Sequence, residues 1–186
     1  MTAAQDNPFA TERVEEILEF DPTWIGETWE SILGNLEQIN WHGAVVGPHG
    51  AGKTTFLSAL QKRLNERGKA TEMLFLNRQS REIPEVFFEK LTPETIILFD
   101  GAEQLNFFQW RKFLGHTRQT RGLIISLHRP GRLPTFLRLN PTPTLLHQCI
   151  NRLAPSSHID PTNIFTTRKG NLREALLDCY DLHATR

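Results

Sequence analysis

The stretch Gly47–Thr54 constrains this chain more than any other feature of its sequence. It reads Gly-Pro-His-Gly-Ala-Gly-Lys-Thr and fits the pattern G-x-x-x-x-G-K-[ST]. An apolar run, Ala44–Val46, precedes it, and apolar residues at helical spacing follow it: Phe56, Leu57, Leu60 and Leu64. The pattern therefore predicts a strand that turns through glycines directly into an amphipathic helix.

The glycines allow this loop to curl around an anion. Where no Cβ atom clashes, the backbone can turn so that consecutive N–H groups point inward, and the start of the helix adds the positive end of its dipole. Lys53 would reach the β- and γ-phosphates of a nucleotide, and the Thr54 hydroxyl would ligate Mg²⁺. We therefore predict a nucleotide-binding loop formed by Gly47, Pro48, His49, Gly50, Ala51, Gly52, Lys53, Thr54 and Thr55.

A second candidate site residue, Asp100, follows the apolar run Thr95–Phe99. Such continuous runs of β-forming residues are typical of strands that are buried on both faces of a parallel sheet. A carboxylate that leaves this strand beside the phosphate loop can hold the hydration shell of Mg²⁺. The alternative is that Asp100 caps the next helix.

The order of elements predicts an α/β fold, with a parallel β-sheet flanked by helices. Further strands are expected at Ala70–Leu76, Gly122–Leu127 and Pro134–Leu139. A helix after Asp100 is expected to carry Leu105, Phe108, Trp110 and Phe113.

The chain is expected to divide into three parts. These are an N-terminal segment (1–23), a P-loop nucleotide-binding domain (24–141) and a small helical, lid-like C-terminal subdomain (142–186). The last part is predicted because two amphipathic helical patterns follow Pro141.

Together the two motifs resemble the Walker A and Walker B elements of the P-loop NTPase superfamily. The expected strand arrangement is similar to its additional-strand branch, which includes the AAA+ and STAND ATPases. This resemblance implies ATP and Mg²⁺ as ligands, with Thr54 and Asp100 on the metal side. The sequence contains no Asn-Lys-x-Asp motif for guanine, which favours ATP over GTP.

Two further segments look like AAA+ features. His128, at the end of the strand Gly122–Leu127, matches the sensor-1 position that contacts the γ-phosphate or the attacking water. Arg173, in Gly170-Asn171-Leu172-Arg173, resembles the sensor-2 arginine of a lid helix. The alternatives are that His128 is a surface histidine and that Arg173 is a solvated helix arginine.

A short N-terminal segment, Asn7-Pro8-Phe9, resembles one that packs on adenine in some AAA+ domains. It can equally be an N-terminal staple that only packs against the fold.

The sequence departs from the resemblance at the water-activating position. The ATPases that the sequence resembles commonly carry a glutamate directly after the Walker B aspartate, where this chain has Gly101. Glu103 is the nearest acid. It is either a displaced general base or a residue whose negative charge stabilises the N-terminus of the next helix.

A second departure is the short segment after His128, which cannot hold the helix that usually carries an arginine finger. Arg129 and Arg132 are the remaining candidates for that role, and oligomerisation stays open.

Charge and cysteine content exclude several classes of function. Lys+Arg and Asp+Glu both number 21, which excludes a strongly basic nucleic-acid coat. The stretch Arg129–Arg138 contains three arginines, so binding to nucleic acid is possible but not favoured.

The cysteines and the apolar runs concern the compartment. Cys149 and Cys179 are expected to be small buried thiols. No apolar run is long enough to span a membrane and the first residues lack a signal-peptide pattern, so we expect a cytoplasmic protein.

Two functions remain at this stage. The leading one is a Mg²⁺-dependent AAA-like ATPase that hydrolyses ATP slowly to drive or signal a conformational change, with Lys53, Asp100, Glu103, His128 and Arg173 at its catalytic centre. The alternative is a nucleotide-dependent switch that recruits a protein partner without turnover. Gly101 favours the switch, whereas Lys53, Thr54 and Asp100 are compatible with both.

Overall fold

The computed structural model describes residues 7–155, 157 and 159–184, so the polar N-terminus before Asn7 and the histidine at position 158 lie outside the described residues. The chain forms two compact units. We call residues 26–47 and 53–138 the sheet unit, and the described parts of 7–25, 48–52 and 139–184 the helical unit. Among the described residues, no helix has the length and apolar character needed to cross a membrane.

The sheet unit contains five parallel strands, as the sequence predicts. They are β1 (His42–Val46), β2 (Thr71–Phe75), β3 (Ile96–Asp100), β4 (Gly122–Leu127) and β5 (Thr135–Arg138). Their order is β2-β3-β4-β1-β5, so β4 lies between the two strands that carry the candidate motifs. Because the strands are parallel, the carboxyl ends of β1, β3 and β4 meet at one edge of the sheet.

Helices cover this sheet and position its loops. They are α2 (Trp29–Gln38), α3 (Lys53–Glu66), α4 (Glu85–Glu89) and α5 (Phe107–Thr117), preceded in the chain by α1 (Thr11–Ile17) of the helical unit. The apolar residues predicted for α3 are fully buried, and the side chains of β3 and β4 are buried on both faces. The continuous apolar runs in the sequence therefore follow from burial of the sheet on both sides.

The start of α5 differs from the sequence expectation. Asn106 caps the helix and exchanges hydrogen bonds with Gln109, so the helix begins at Phe107. Leu105 precedes the helix and is buried, whereas Phe108 is 80% exposed instead of packing in the core. The reciprocal cap sets the start of the helix here, and the apolar spacing does not.

In the helical unit, α1 packs against α6 (Pro143–Leu153), which also contacts α7 (Pro161–Thr167) and α8 (Leu172–Ala184). The helix α7 was not predicted; Asp160 caps it and Pro161 begins it. Cys149 and Cys179 are free and buried in this core, as expected, and burial raises the pKa of each thiol to about 11.

The N-terminal residues of the helical unit belong to the same core. Phe9 is 1% exposed, and Asn7 accepts a hydrogen bond from the Phe9 N–H while donating to the carbonyl of Tyr180. A buried Phe9 ring is not open to adenine, which favours the staple over the adenine-packing alternative.

A candidate nucleotide site at the carboxyl edge of the sheet

The predicted phosphate loop leaves β1 at Val46 and enters α3 at Lys53. Gly50 and Gly52 have φ angles of +70° and +84°, a backbone region that L side chains rarely adopt. The Gly47 N–H donates to the carbonyl of Leu127, which anchors the base of the loop to β4. The glycines at these positions therefore meet a conformational requirement of the turn, as the sequence pattern predicts.

Lys53 is the buried cation of the sheet unit's candidate site, with 8% of its surface exposed. Its ammonium donates to the carbonyl of Gly47 at 2.7 Å and to Nδ1 of His128 at 3.1 Å. Burial lowers the pKa of Lys53, and the carboxylates of Glu103 and Asp100 act in the opposite direction. The arrangement holds a positive charge where the loop would receive phosphates.

Asp100 ends β3 and is 5% exposed, with both carboxylate oxygens engaged. The Thr54 hydroxyl donates to Oδ2 at 2.5 Å, and the Ser126 hydroxyl donates to Oδ1. A hydroxyl and a carboxylate oxygen in contact are a donor set that suits Mg²⁺. The two residues predicted as metal ligands are thus brought together, 46 positions apart in the chain.

Ser126 was missed by the sequence reasoning. It is buried within β4, where it also accepts a hydrogen bond from the Gly101 N–H at 3.1 Å. One hydroxyl therefore fixes both the carboxylate of Asp100 and the backbone that follows it. The sequence does contain a sign of this role, because Ser126 is the single polar side chain in the otherwise apolar strand Gly122–Leu127.

His128 links the cation of the loop to Glu103. A charged lysine has no acceptor, so Lys53 donates to Nδ1 and we place the ring proton on Nε2. Nε2 then donates to Oε1 of Glu103 at 2.8 Å. The side chains of His128 and Glu103 are 29% and 27% exposed, so neither is a fully solvated surface residue.

Glu103 lies in a 3-10 turn, Ala102–Gln104, directly before α5. Its second carboxylate oxygen, Oε2, is buried without a hydrogen-bond partner among the described residues. Leaving a buried charged acceptor unpaired is costly, so this oxygen is a place where a water molecule or substrate group can bind.

Gly101 occupies its position for a steric reason. Its φ is +82°, and a Cβ atom built there would lie 2.0 Å from the carbonyl oxygen of Leu76. No residue with a side chain, and so no glutamate, fits this backbone. The absence of a side chain at this position is therefore built into the turn.

The arginine-finger candidates differ in exposure. Arg129 is exposed, whereas the guanidinium of Arg132 lies 4.8 Å from the centre of the Trp110 ring and donates to the carbonyl of Leu105. Burial lowers the pKa of Arg132, and the charge of Glu103 opposes this shift. The contacts of Arg132 hold the loop between β4 and β5 against the start of α5.

Within the helical unit, the apex of the phosphate loop meets the start of α8. A Cβ atom built on Gly50 would lie 1.8 Å from Oδ1 of Asn171 and 3.3 Å from the backbone nitrogen of Arg173. Asn171 caps α8 by accepting from the Glu174 N–H, and the Arg173 side chain is exposed. The predicted lid arginine thus follows the helix start that touches the loop.

Comparison with known proteins gives a structural likeness only. No protein-family model and no curated protein matches the sequence. A RuvB variant from Thermotoga maritima superposes with a TM-score of 0.53 and 17% identity, over 79% of this chain and 57% of that one. A second RuvB variant gives 0.54 and 16%, over 89% and 59%.

A further Thermotoga maritima structure, described as the RuvB Holliday junction branch migration motor, gives a TM-score of 0.51 and 16% identity over 80% of this chain and 59% of that chain. The chain spans less than two thirds of the length of each of these structures. At such identities the likeness concerns the fold alone. Together with the strand order, it shows that this chain has the α/β fold of P-loop NTPases.

Proposed function

We propose that this protein is a Mg²⁺-dependent, AAA-like ATPase that binds ATP at the loop Gly47–Thr55 and hydrolyses it slowly to drive or signal a conformational change. The observation that carries the proposal is the row of contacts from Lys53 through His128 to Glu103, which lies beside the Thr54–Asp100 pair. The row joins the cation proposed to bind phosphate to a carboxylate whose second oxygen has no hydrogen-bond partner within the part of the chain that the structure describes.

Each binding role has a residue suited to it. Lys53 and the loop N–H groups would neutralise the β- and γ-phosphates, and this electrostatic stabilisation is the main part of phosphoryl-transfer catalysis. Thr54 and Asp100 would hold Mg²⁺, with Ser126 fixing the orientation of the carboxylate. When bound, the metal supplies charge neutralisation on the phosphate oxygens.

We propose Glu103 as the group that activates water. Its Oε2 would accept a proton from the attacking water while the water oxygen bonds to the γ-phosphorus. The bond from that phosphorus to the bridging oxygen breaks, which leaves ADP and inorganic phosphate. His128 would hold Oε1 and so aim the carboxylate. The helix-start alternative offers no account of the unpaired buried oxygen.

Replacing Glu103 with glutamine tests this role. We expect Glu103→Gln to slow single-turnover release of γ-phosphate about 100-fold, because the amide cannot accept the proton, while ATP still binds. Glu94→Gln is the matched control, because Glu94 is an exposed glutamate before β3 and should leave the rate unchanged. A wild-type rate that survives Glu103→Gln would assign water activation to another residue.

The second candidate is a switch that binds ATP and recruits a protein partner without turnover. The steric exclusion of a carboxylate at position 101 favours it. Single-turnover measurement on the wild-type protein separates the two functions, because a switch retains bound ATP and an ATPase converts it to ADP. One of the RuvB structures is described as a Holliday junction branch migration motor. From that likeness we propose only that this chain couples its bound nucleotide to a conformational change.

A further inference from the structure

The charged residues of this chain are distributed unevenly, which the zero net charge conceals. From Gln104 to Ile159 the sequence contains no Asp or Glu, and all 21 acidic residues lie outside this range. The same range contains eight Lys and Arg residues. A local positive surface is therefore compatible with the overall balance.

Two aromatic rings are exposed at the start of this range. Phe107 is 65% exposed and Phe108 is 80% exposed, and their ring centroids are 5.7 Å apart. The guanidinium of Arg111 lies 6.0 Å from the centre of the Phe107 ring. Leaving large apolar side chains in water is unfavourable, and an adjacent exposed pair points to a binding role.

The helix α5 arranges these aromatic and basic residues on its outward side. At 3.6 residues per turn, Arg111 lies one turn after Phe107, and Lys112 lies one turn after Phe108. Both basic residues are exposed, whereas Trp110 and Phe113 are buried on the opposite side of the helix.

The loop after β4 packs against the start of α5. Arg132 is held against α5 by the Trp110 ring and the carbonyl of Leu105, so the short loop that also carries the exposed Arg129 packs beside the start of the helix. We name the exposed residues on the outward side of α5 the aromatic-basic surface: Phe107, Phe108, Arg111 and Lys112.

We infer that the aromatic-basic surface binds single-stranded nucleic acid. Its arginine and lysine match a chain of phosphates, and its two exposed rings match unpaired bases, whose faces stack on aromatic side chains without sequence preference. An acidic peptide offers carboxylates but no flat ring faces, and a duplex hides its base faces within the stack. Single-stranded nucleic acid fits both halves of the surface.

Binding is tested by fluorescence anisotropy with the full chain and no added nucleotide, so that the result does not depend on the proposed ATPase. The probes are fluorescein-labelled oligo(dU) and oligo(rU) of about 20 nucleotides, which differ only in the sugar, at about 50 mM salt and above. A duplex and a poly-glutamate peptide of similar length are the competitors. We expect both single strands to bind, and a preference for either identifies the favoured sugar.

Two double variants separate stacking from charge. Phe107→Ala with Phe108→Ala should weaken binding about tenfold or more and leave the salt dependence unchanged. Arg111→Gln with Lys112→Gln should lower the slope of log affinity against log salt by about 1.4, because each lost phosphate contact removes about 0.7. All four side chains are exposed, so thermal melts should match the wild type.

The matched controls lie elsewhere on the chain. Leu177→Ala removes an exposed apolar side chain from α8, and Arg67→Gln removes an exposed cation after α3; neither should change the affinity. Three results would overturn the inference: no single-strand binding by the wild type, wild-type affinity in the phenylalanine variant, or equal competition by duplex or poly-glutamate.

Discussion

At the scale of single residues, Gly101 is constrained by backbone atoms in the candidate site. Its φ angle is positive, and a Cβ atom built on it would lie 2.0 Å from the carbonyl oxygen of Leu76, so no side chain fits at this position. The Gly101 N–H donates to Ser126, which also holds Asp100, so the turn and the candidate metal ligand are fixed together. The Gly101 turn is thus part of the support for Asp100.

Introducing a glutamate at this position should damage the fold instead of accelerating hydrolysis. We expect Gly101→Glu to lower the free energy of unfolding by about 2 kcal/mol or more, because the new Cβ meets the Leu76 carbonyl in a strained backbone. Urea denaturation measures this loss.

The matched control is Gly34→Ala, in the interior of α2, where an added Cβ meets nothing within 4 Å. It should raise stability by about 0.5–1 kcal/mol, since alanine favours helix over glycine. A stably folded Gly101→Glu protein with faster hydrolysis would contradict the steric account.

The residue scale also shows where sequence reasoning reaches its limit. Lys53, Thr54 and Asp100 were predictable because a fixed spacing and a strand end place them. The contacts of Glu103 with His128 and of Asp100 with Ser126 were not, since each joins residues about 25 positions apart through neighbouring strands. The sequence indicates which side chains follow the strands, but side-chain packing decides which atoms meet.

At the scale of elements, strands were predicted better than helix boundaries. The runs Thr95–Phe99 and Gly122–Leu127 are almost wholly apolar because both sheet faces are covered, and their short length and β-branched residues distinguish them from helices. The start of α5 depends on the cap formed by Asn106, and α7 begins at the cap formed by Asp160. The spacing of apolar residues does not predict such caps.

The start of α8 gives a test of the proposed lid. If Arg173 senses the γ-phosphate, Arg173→Ala should reduce ATP affinity and leave ADP affinity nearly unchanged, because the lost contact exists only with the triphosphate. Calorimetry with both nucleotides makes the measurement.

The control for this test is Arg168→Ala. Arg168 pairs with Asp178 at the surface of the helical unit, so its removal should alter neither affinity. Equal losses for ATP and ADP in Arg173→Ala would indicate a general phosphate contact, and no loss would leave Arg173 a solvated residue.

The core of the helical unit predicts a dependence of stability on pH. The pKa of both buried thiols is raised to about 11, whereas unfolded cysteines ionise near pH 8.5. The contribution of the two protonated thiols to the free energy of unfolding is therefore complete below the pKa of the unfolded state. It is lost as the pH rises toward 11.

Urea denaturation at several pH values compares the wild type with Cys149→Ala plus Cys179→Ala. The stability advantage of the wild type should shrink between pH 8.5 and 11, because only the wild type loses the thiol contribution. A constant difference across that range would show that the thiols ionise equally in both states.

At the scale of the whole molecule, the sequence predicted the fold class because one motif fixes a strand, a turn and a helix at once. The surrounding alternation then supplies a parallel sheet, and parallel strands bring their carboxyl ends to a common edge. The uneven charge distribution was visible in the same sequence, but its meaning depends on the exposure of Phe107 and Phe108, which only the folded chain shows.

The central claim is that the loop Gly47–Thr55 binds a nucleoside triphosphate. Calorimetry with Mg²⁺ and ATP tests this claim most directly. The wild type should bind ATP, and Lys53→Ala should abolish the binding or weaken it severely, since a methyl group cannot replace a charge-assisted contact to phosphate. Lys90→Ala, which removes an exposed lysine after α4, should bind as the wild type does. Unchanged ATP binding in Lys53→Ala, or no binding by the wild type, would contradict the nucleotide assignment.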